Sequence, residues 1–132
     1  MIKKIMLENE LVALFISGDH NFNESHFFTD DTQPIQLGVF AHDSGHEIPL
    51  HKHNTVFRVV PFTQEVIFCR QGELLCTLYP STKDTSYELI LKAGDILYLI
   101  NGWHKFEVGK DCVFLEVKNG PYLGAIDKTR EC

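Results

Sequence analysis

From Glu65 onward the sequence repeats at an interval of about ten residues. Glu65–Arg70, Leu74–Tyr79, Tyr87–Leu91, Ile96–Ile100, His104–Val108 and Val113–Val117 are short runs rich in apolar, aromatic and β-branched residues. Gly72, Pro80–Ser86, Ala93-Gly94-Asp95, Asn101-Gly102 and Gly109-Lys110-Asp111 lie between them. Runs this short leave no room for a helix between their turns. Short strands joined by turn chemistry at such spacing predict an all-β sandwich or barrel. Helical periodicity is weak throughout, which points the same way.

The first half is less regular. Leu11–Ile16 reads as an apolar strand ended by Ser17-Gly18-Asp19, and His26–Thr29 and Ile35–Ala41 are further strand candidates. His42-Asp43-Ser44-Gly45 is a turn signal, and Glu47–His53 reads as extended, with Pro49 placing it at an edge or a strand start. Residues 1–9 are a lead-in with no assigned element. The 132 residues suit one domain closing one core. Its barrel core is expected over about 35–117, with N-terminal strands over 10–30 and a tail over 118–132 as loop or short helix.

The net charge of −6 argues against a nucleic-acid backbone or an anionic membrane as partner. Cysteines 69, 76, 112 and 132 form no CxxC or finger spacing and read as free thiols of a reducing compartment. Glu8, Asn9 and Glu10 interrupt the apolar N-terminus, so no signal peptide is expected. No apolar run reaches bilayer length. A cytoplasmic location is the resulting expectation.

The chemistry-bearing residues begin at His51 and His53, separated by Lys52. On a strand the two imidazoles would share a face about 7 Å apart along the backbone. They could then converge on one metal at about 2.1 Å. A carboxylate would complete a nitrogen/oxygen site suited to Fe, Mn, Ni, Co or Zn. An HxH pair alone is weak, since histidine is common on half-exposed strands. Glu47 and Glu73 are alternative carboxylates with turn placement. His20, His26, His42 and His46 read as surface residues. Cys69 shares a strand face with Glu65 and reads as an apolar filler, as do Cys76 and Cys112.

Two segments resemble the metal-binding motifs of the cupin superfamily. Gly45, five residues, His51-x-His53, then Glu65, six residues, Gly72 is similar to the first motif. Eleven residues, Asn54 to Gln64, separate the second histidine from the glutamate, more than cupins usually place there. Gly94, five residues, Ile100-Asn101-Gly102-Trp103-His104 is similar to the second motif, with Ile100 where proline is usual and the histidine one residue early. The resemblance implies a cupin-type double-stranded β-helix, a jelly-roll barrel. It implies one divalent metal ion held by His51, His53, Glu65 and His104. Glu116 to Tyr122, followed by Asp127-Lys128, looks like the tail of small cupins of surface-polysaccharide biosynthesis, which implies a sugar or nucleotide-sugar ligand.

Arg58 is a candidate for gripping a substrate carboxylate or phosphate, and Trp103 for forming a wall over a sugar ring. Tyr79, Tyr87 and Tyr98 are candidates for proton chemistry without metal, and Tyr98 is also taken as a substrate-binding residue. Each is equally explained as a strand aromatic. The leading expectation is a mononuclear metal-dependent enzyme of the dioxygenase or the sugar isomerase/epimerase type. The alternative is a non-catalytic or metal-free cupin that binds a sugar or nucleotide sugar. A homodimer sealed through the Leu11–Ile16 edge is also expected.

Overall fold

The computed structural model describes residues 1–131, and Cys132 lies outside them. Ten strands form: β1 (Ile2–Leu7), β2 (Glu10–Ile16), β3 (His26–Phe27), β4 (Gly38–Val39), β5 (Glu65–Gln71), β6 (Glu73–Tyr79), β7 (Tyr87–Lys92), β8 (Ile96–Leu99), β9 (Trp103–Val108) and β10 (Val113–Lys118). A single 3-10 turn, Gly124–Asp127, follows. The strands make a five-stranded sheet in the order β1-β2-β8-β5-β10, a three-stranded sheet in the order β7-β6-β9, and the small β3-β4 pair. All pairings are antiparallel. The protein is therefore nearly all β, as expected, and none of its sheets closes on itself. Among the described residues no helix is long and apolar enough to cross a membrane.

Alternation along each strand builds the core. In β5, Ile67 and Cys69 are buried and the intervening Phe68 is exposed. Inward residues of the large sheet meet Leu74, Cys76, Leu78 and Leu91 of the small one, with Ile5, Val12, Ala13, Phe15, Leu97 and Leu99 in the same cluster. A second, smaller cluster lies on the large sheet's other face. There Leu14, Tyr98 and Ile100 are covered by Phe28, Ile35 and Leu37. Three thiols, Cys69, Cys76 and Cys112, are free. Burial pushes the Cys76 thiol up to about 12 and also raises Cys69.

Four expectations need correction. The Leu11–Ile16 strand is no edge through which a dimer could be sealed, because β2 is paired with β1 on one side and β8 on the other. The lead-in is a strand: β1 pairs with β2 from Ile2 opposite Ile16 to Leu7 opposite Glu10. Glu8 and Asn9, which break the apolar run in the sequence, form its two-residue turn, with φ of 50° and 63°. Both residues in that region match a type I′ hairpin, which suits the twist of the flanking strands. The Ile35–Ala41 candidate shrinks to Gly38–Val39, and His26–Thr29 to His26–Phe27. Finally, Glu47–His53 forms no strand, and every residue from His42 to Phe62 is exposed.

Candidate functional site

The cleft sits where β5, β9 and the C-terminal tail meet. Glu65 opens β5 on the same face as Ile67 and Cys69, so its carboxylate faces inward. His104 lies opposite Leu78 in the β6-β9 register, Phe106 opposite Cys76 and Val108 opposite Leu74. Directly opposed residues share a sheet face, so His104 faces inward with the core, as the sequence suggested. The two groups meet across the sheets: His104 Nε2 lies 3.3 Å from Glu65 Oε2. The Glu65 side chain is 10% exposed and that of His104 35%. The carboxylate is thus shielded while the imidazole reaches the opening.

The cleft encloses about 560 Å3. Glu65, His104, Phe106 and Glu116 are among its lining residues, as are Trp103, Leu99 and Ile100. Phe62 and Thr63 line it near the start of β5, and Asp127, Lys128, Thr129 and Arg130 of the tail complete it. Thr63 Oγ1 donates to Asp127 Oδ1 at 2.5 Å, tying the tail to the cleft. Trp103 is fixed on its far side: its Nε1 donates to the Ser81 carbonyl at 3.3 Å, and Lys83 Nζ stands 4.4 Å from the ring centroid.

The hydrogen bond from His104 is the main reason that the Glu65 carboxyl is held below its ordinary value of 4.5, with burial opposing it and the imidazole's charge assisting. A depressed carboxyl stabilises the fold fully at pH values above that ordinary value. The stabilisation is lost as pH falls through the folded-state value, because the unfolded chain takes up the proton first. Stability is therefore expected to decline below about pH 4.5. Glu65→Gln should flatten part of that decline while leaving the neutral-pH fold intact. Urea midpoints for parent and variant between neutral and acid pH measure this. Parallel curves for the two would remove Glu65 as a source.

The sequence-derived candidates separate into three places. Glu65, His104 and Trp103 come together in the cleft. His51, His53 and Arg58 lie on the exposed 42–62 segment. The two imidazole rings are near each other, with centroids 5.6 Å apart, and His51 Nδ1 lies 2.8 Å from the Pro49 carbonyl oxygen. Among the described residues no group of three or more His, Cys, Asp or Glu is placed to hold a metal ion. Within one chain, therefore, the residues present do not fit the four-ligand metal centre implied by the cupin resemblance.

Tyr98 precedes Leu99, and strand alternation puts it on the sheet's other face, away from Glu65. Its hydroxyl donates to Gln64 Oε1 and lies 3.1 Å from the Ile35 carbonyl, and burial pushes it up to about 12. Gln64 is itself 1% exposed and donates from Nε2 to Gln33 Oε1 at 2.6 Å. The sequence reading missed Thr63, Glu116 and Arg130. The available signal was the tail, where Asp127-Lys128 stands out only through its resemblance to the tail of small cupins. No protein-family model, no curated protein and no solved structure matches this chain.

Proposed function

We propose that this chain is a cupin-type protein that binds and acts on a small hydroxylated molecule, by class a sugar or nucleotide sugar, in the Glu65–His104 cleft. The observation that carries this reading is the ion pair itself: a shielded carboxylate against a half-exposed imidazole in an open cleft. With Nε2 held by Glu65, the other ring nitrogen of His104 is left for proton transfer to or from a ligand. A carboxylate behind an imidazole fixes its tautomer and supports the charge it gains. Trp103 offers a flat face to a sugar ring, and Lys128 and Arg130 offer charge to an anionic substituent. Such an arrangement suits the proton shuttling of an isomerase or epimerase.

Metal-dependent chemistry, oxygenation or isomerisation, is the second reading. It is favoured by the proximity of the His51 and His53 rings. It requires those imidazoles to join Glu65 and His104.

Thermal shift and turnover with free sugars, sugar phosphates and nucleotide sugars test the proposal. A ligand from one of these classes should raise the melting temperature. His104→Ala should lower turnover by about 10²- to 10⁴-fold, the usual contribution of a positioned acid–base group, without loss of fold. Unchanged turnover in His104→Ala, or no response to any of the three ligand classes, would sink this reading.

A further inference from the structure

The five-stranded sheet carries a second cavity on the face away from Glu65. It encloses about 380 Å3, a volume within the range of small-molecule sites. Strand register builds its floor. Lys4 lies opposite Leu14 in the β1-β2 pair, and Leu14 lies opposite Tyr98 in the β2-β8 pair. Directly opposed residues share a sheet face, so these three form one row across three strands. A bulge adds to that row. Ile5 is opposite Ala13 and Met6 is opposite Leu11, which leaves Val12 as an extra residue in β2. Val12 and Ala13 then both pack between the sheets, while Leu11 and Leu14 both pack on the outer face. An inserted residue re-aims side chains in this way.

The roof is the 28–33 segment, and its own hydrogen bonds hold it in shape. Phe28 N donates to the Leu37 carbonyl at 2.8 Å. Gln36 Nε2 donates to the Asp30 and Gln33 carbonyls at 2.9 Å each, and Thr29 Oγ1 donates to Gln36 Oε1 at 2.8 Å. Gln33 Oε1 accepts from the buried Gln64 at 2.6 Å, which ties the roof to the sheet. The cavity is therefore preformed, and little ordering is left for a ligand to bring about.

Two opposite charges frame this apolar space. Lys4 and Asp30 both line the cavity, and neither takes part in an ion pair among the described residues. Asp30 spends one carboxylate oxygen on its own loop: Oδ1 accepts from Thr32 N at 2.9 Å and from Thr32 Oγ1 at 2.8 Å. Those two bonds hold its carboxyl below the usual carboxylate value, so it is an anion at neutral pH. Oδ2 is left for a ligand. Lys4 is a compact cation on a flexible stem that can swing over the opening. Tyr98 brings no third charge, because its hydroxyl donates to Gln64 Oε1 and only its ring is offered to the floor.

We infer that this second cavity binds an apolar α-amino acid, its carboxylate on Lys4, its ammonium group on Asp30 and its side chain against Leu11, Leu14 and Phe28. A zwitterion with an apolar body satisfies both charges and the floor at once. A simple carboxylate would leave Asp30 facing it, and a simple amine would leave Lys4. The site is independent of the cleft reading, since neither Glu65 nor His104 lines it. Ile100 borders both cavities and is left unaltered in the test.

Isothermal titration calorimetry of the full chain with L-phenylalanine and L-leucine tests the inference, with 3-phenylpropionate and 2-phenylethylamine as ligands carrying one charge each. The amino acids should bind with a Kd of about 1 mM or tighter, which suits ligands of about a dozen non-hydrogen atoms. Each single-charge analogue should bind about 10-fold more weakly than L-phenylalanine. Lys4→Ala and Asp30→Asn, both at exposed positions, should each weaken L-phenylalanine by about 3- to 10-fold, the effect of a charge-assisted hydrogen bond partly screened by water. No heat of binding with either amino acid at millimolar concentration overturns the inference. So does an analogue that binds as tightly as L-phenylalanine, or an unchanged Kd in either variant. Loss of L-phenylalanine binding in His104→Ala would place the ligand in the other cleft and overturn it as well.

Discussion

Leu97→Ala is expected to lower the unfolding free energy by about 2–5 kcal/mol, the usual range for truncating a fully buried leucine. Leu97 lies in β8, the central strand of the five-stranded sheet, opposite Phe15 on one side and Ile67 on the other. It has no exposed surface, and its neighbours Ile67 and Ala13 have none either. Strand pairing on both sides keeps the surrounding backbone from collapsing into the space left by the missing carbons. The loss therefore includes the cavity as well as the transfer of the side chain from water. For a domain of this size the melting temperature should drop by roughly 10 °C. Native stability is only about 5–15 kcal/mol, so the variant would fold but with a small margin. A urea midpoint within error of the parent's would show that the two sheets do not pack as described.

Gly102→Ala is expected to cost about 2–6 kcal/mol, a sum of two separate penalties. Gly102 has φ of 82°, a left-handed conformation that costs a side-chain-bearing residue about 1–3 kcal/mol. An added Cβ would also stand 2.1 Å from the Tyr79 carbonyl oxygen. That neighbour is backbone and is held by the β6-β9 register, where Tyr79 lies opposite Trp103. Relief requires β9 to move, and forced overpacking of this kind costs about 1–3 kcal/mol more. Because Trp103 and His104 begin β9, ligand binding in the cleft should fall together with stability. Gly124→Ala is the control: φ is 72° but nothing lies within 4 Å of the new Cβ. It should show the conformational penalty alone. Equal losses at the two positions, read from denaturant unfolding, would remove the steric part of this argument.

The latter half of the chain was legible because each strand carries its own turn. The expected Tyr87–Leu91 and Val113–Val117 appear as Tyr87–Lys92 and Val113–Lys118. The inward position of Glu65 beside the buried Ile67 and Cys69 followed from alternation alone. β1 was not legible, because Lys3 and Lys4 are exposed on an edge strand and only Ile5 is buried deeply. Such a strand lacks the apolar density of a central one. Glu47–His53 misled in the opposite sense. It reads as extended from its sequence, but strand structure needs a neighbour to pair with, and this stretch has none among the described residues. The face of Tyr98 was fixed by parity with Leu99 once the register was known, and register depends on pairing that the sequence does not display.

The sealed thiols turn the core into a clock. Cys76 has no exposed surface and a thiol pushed up to about 12, so at neutral pH it is both hidden and almost wholly protonated. Thiolate is the form that alkylating reagents attack. Modification of Cys76 therefore waits on molecules in which the two sheets have parted, and its rate counts those openings. The native cysteine at the sheet interface thus gives every variant of this chain an internal record of how often its core comes apart.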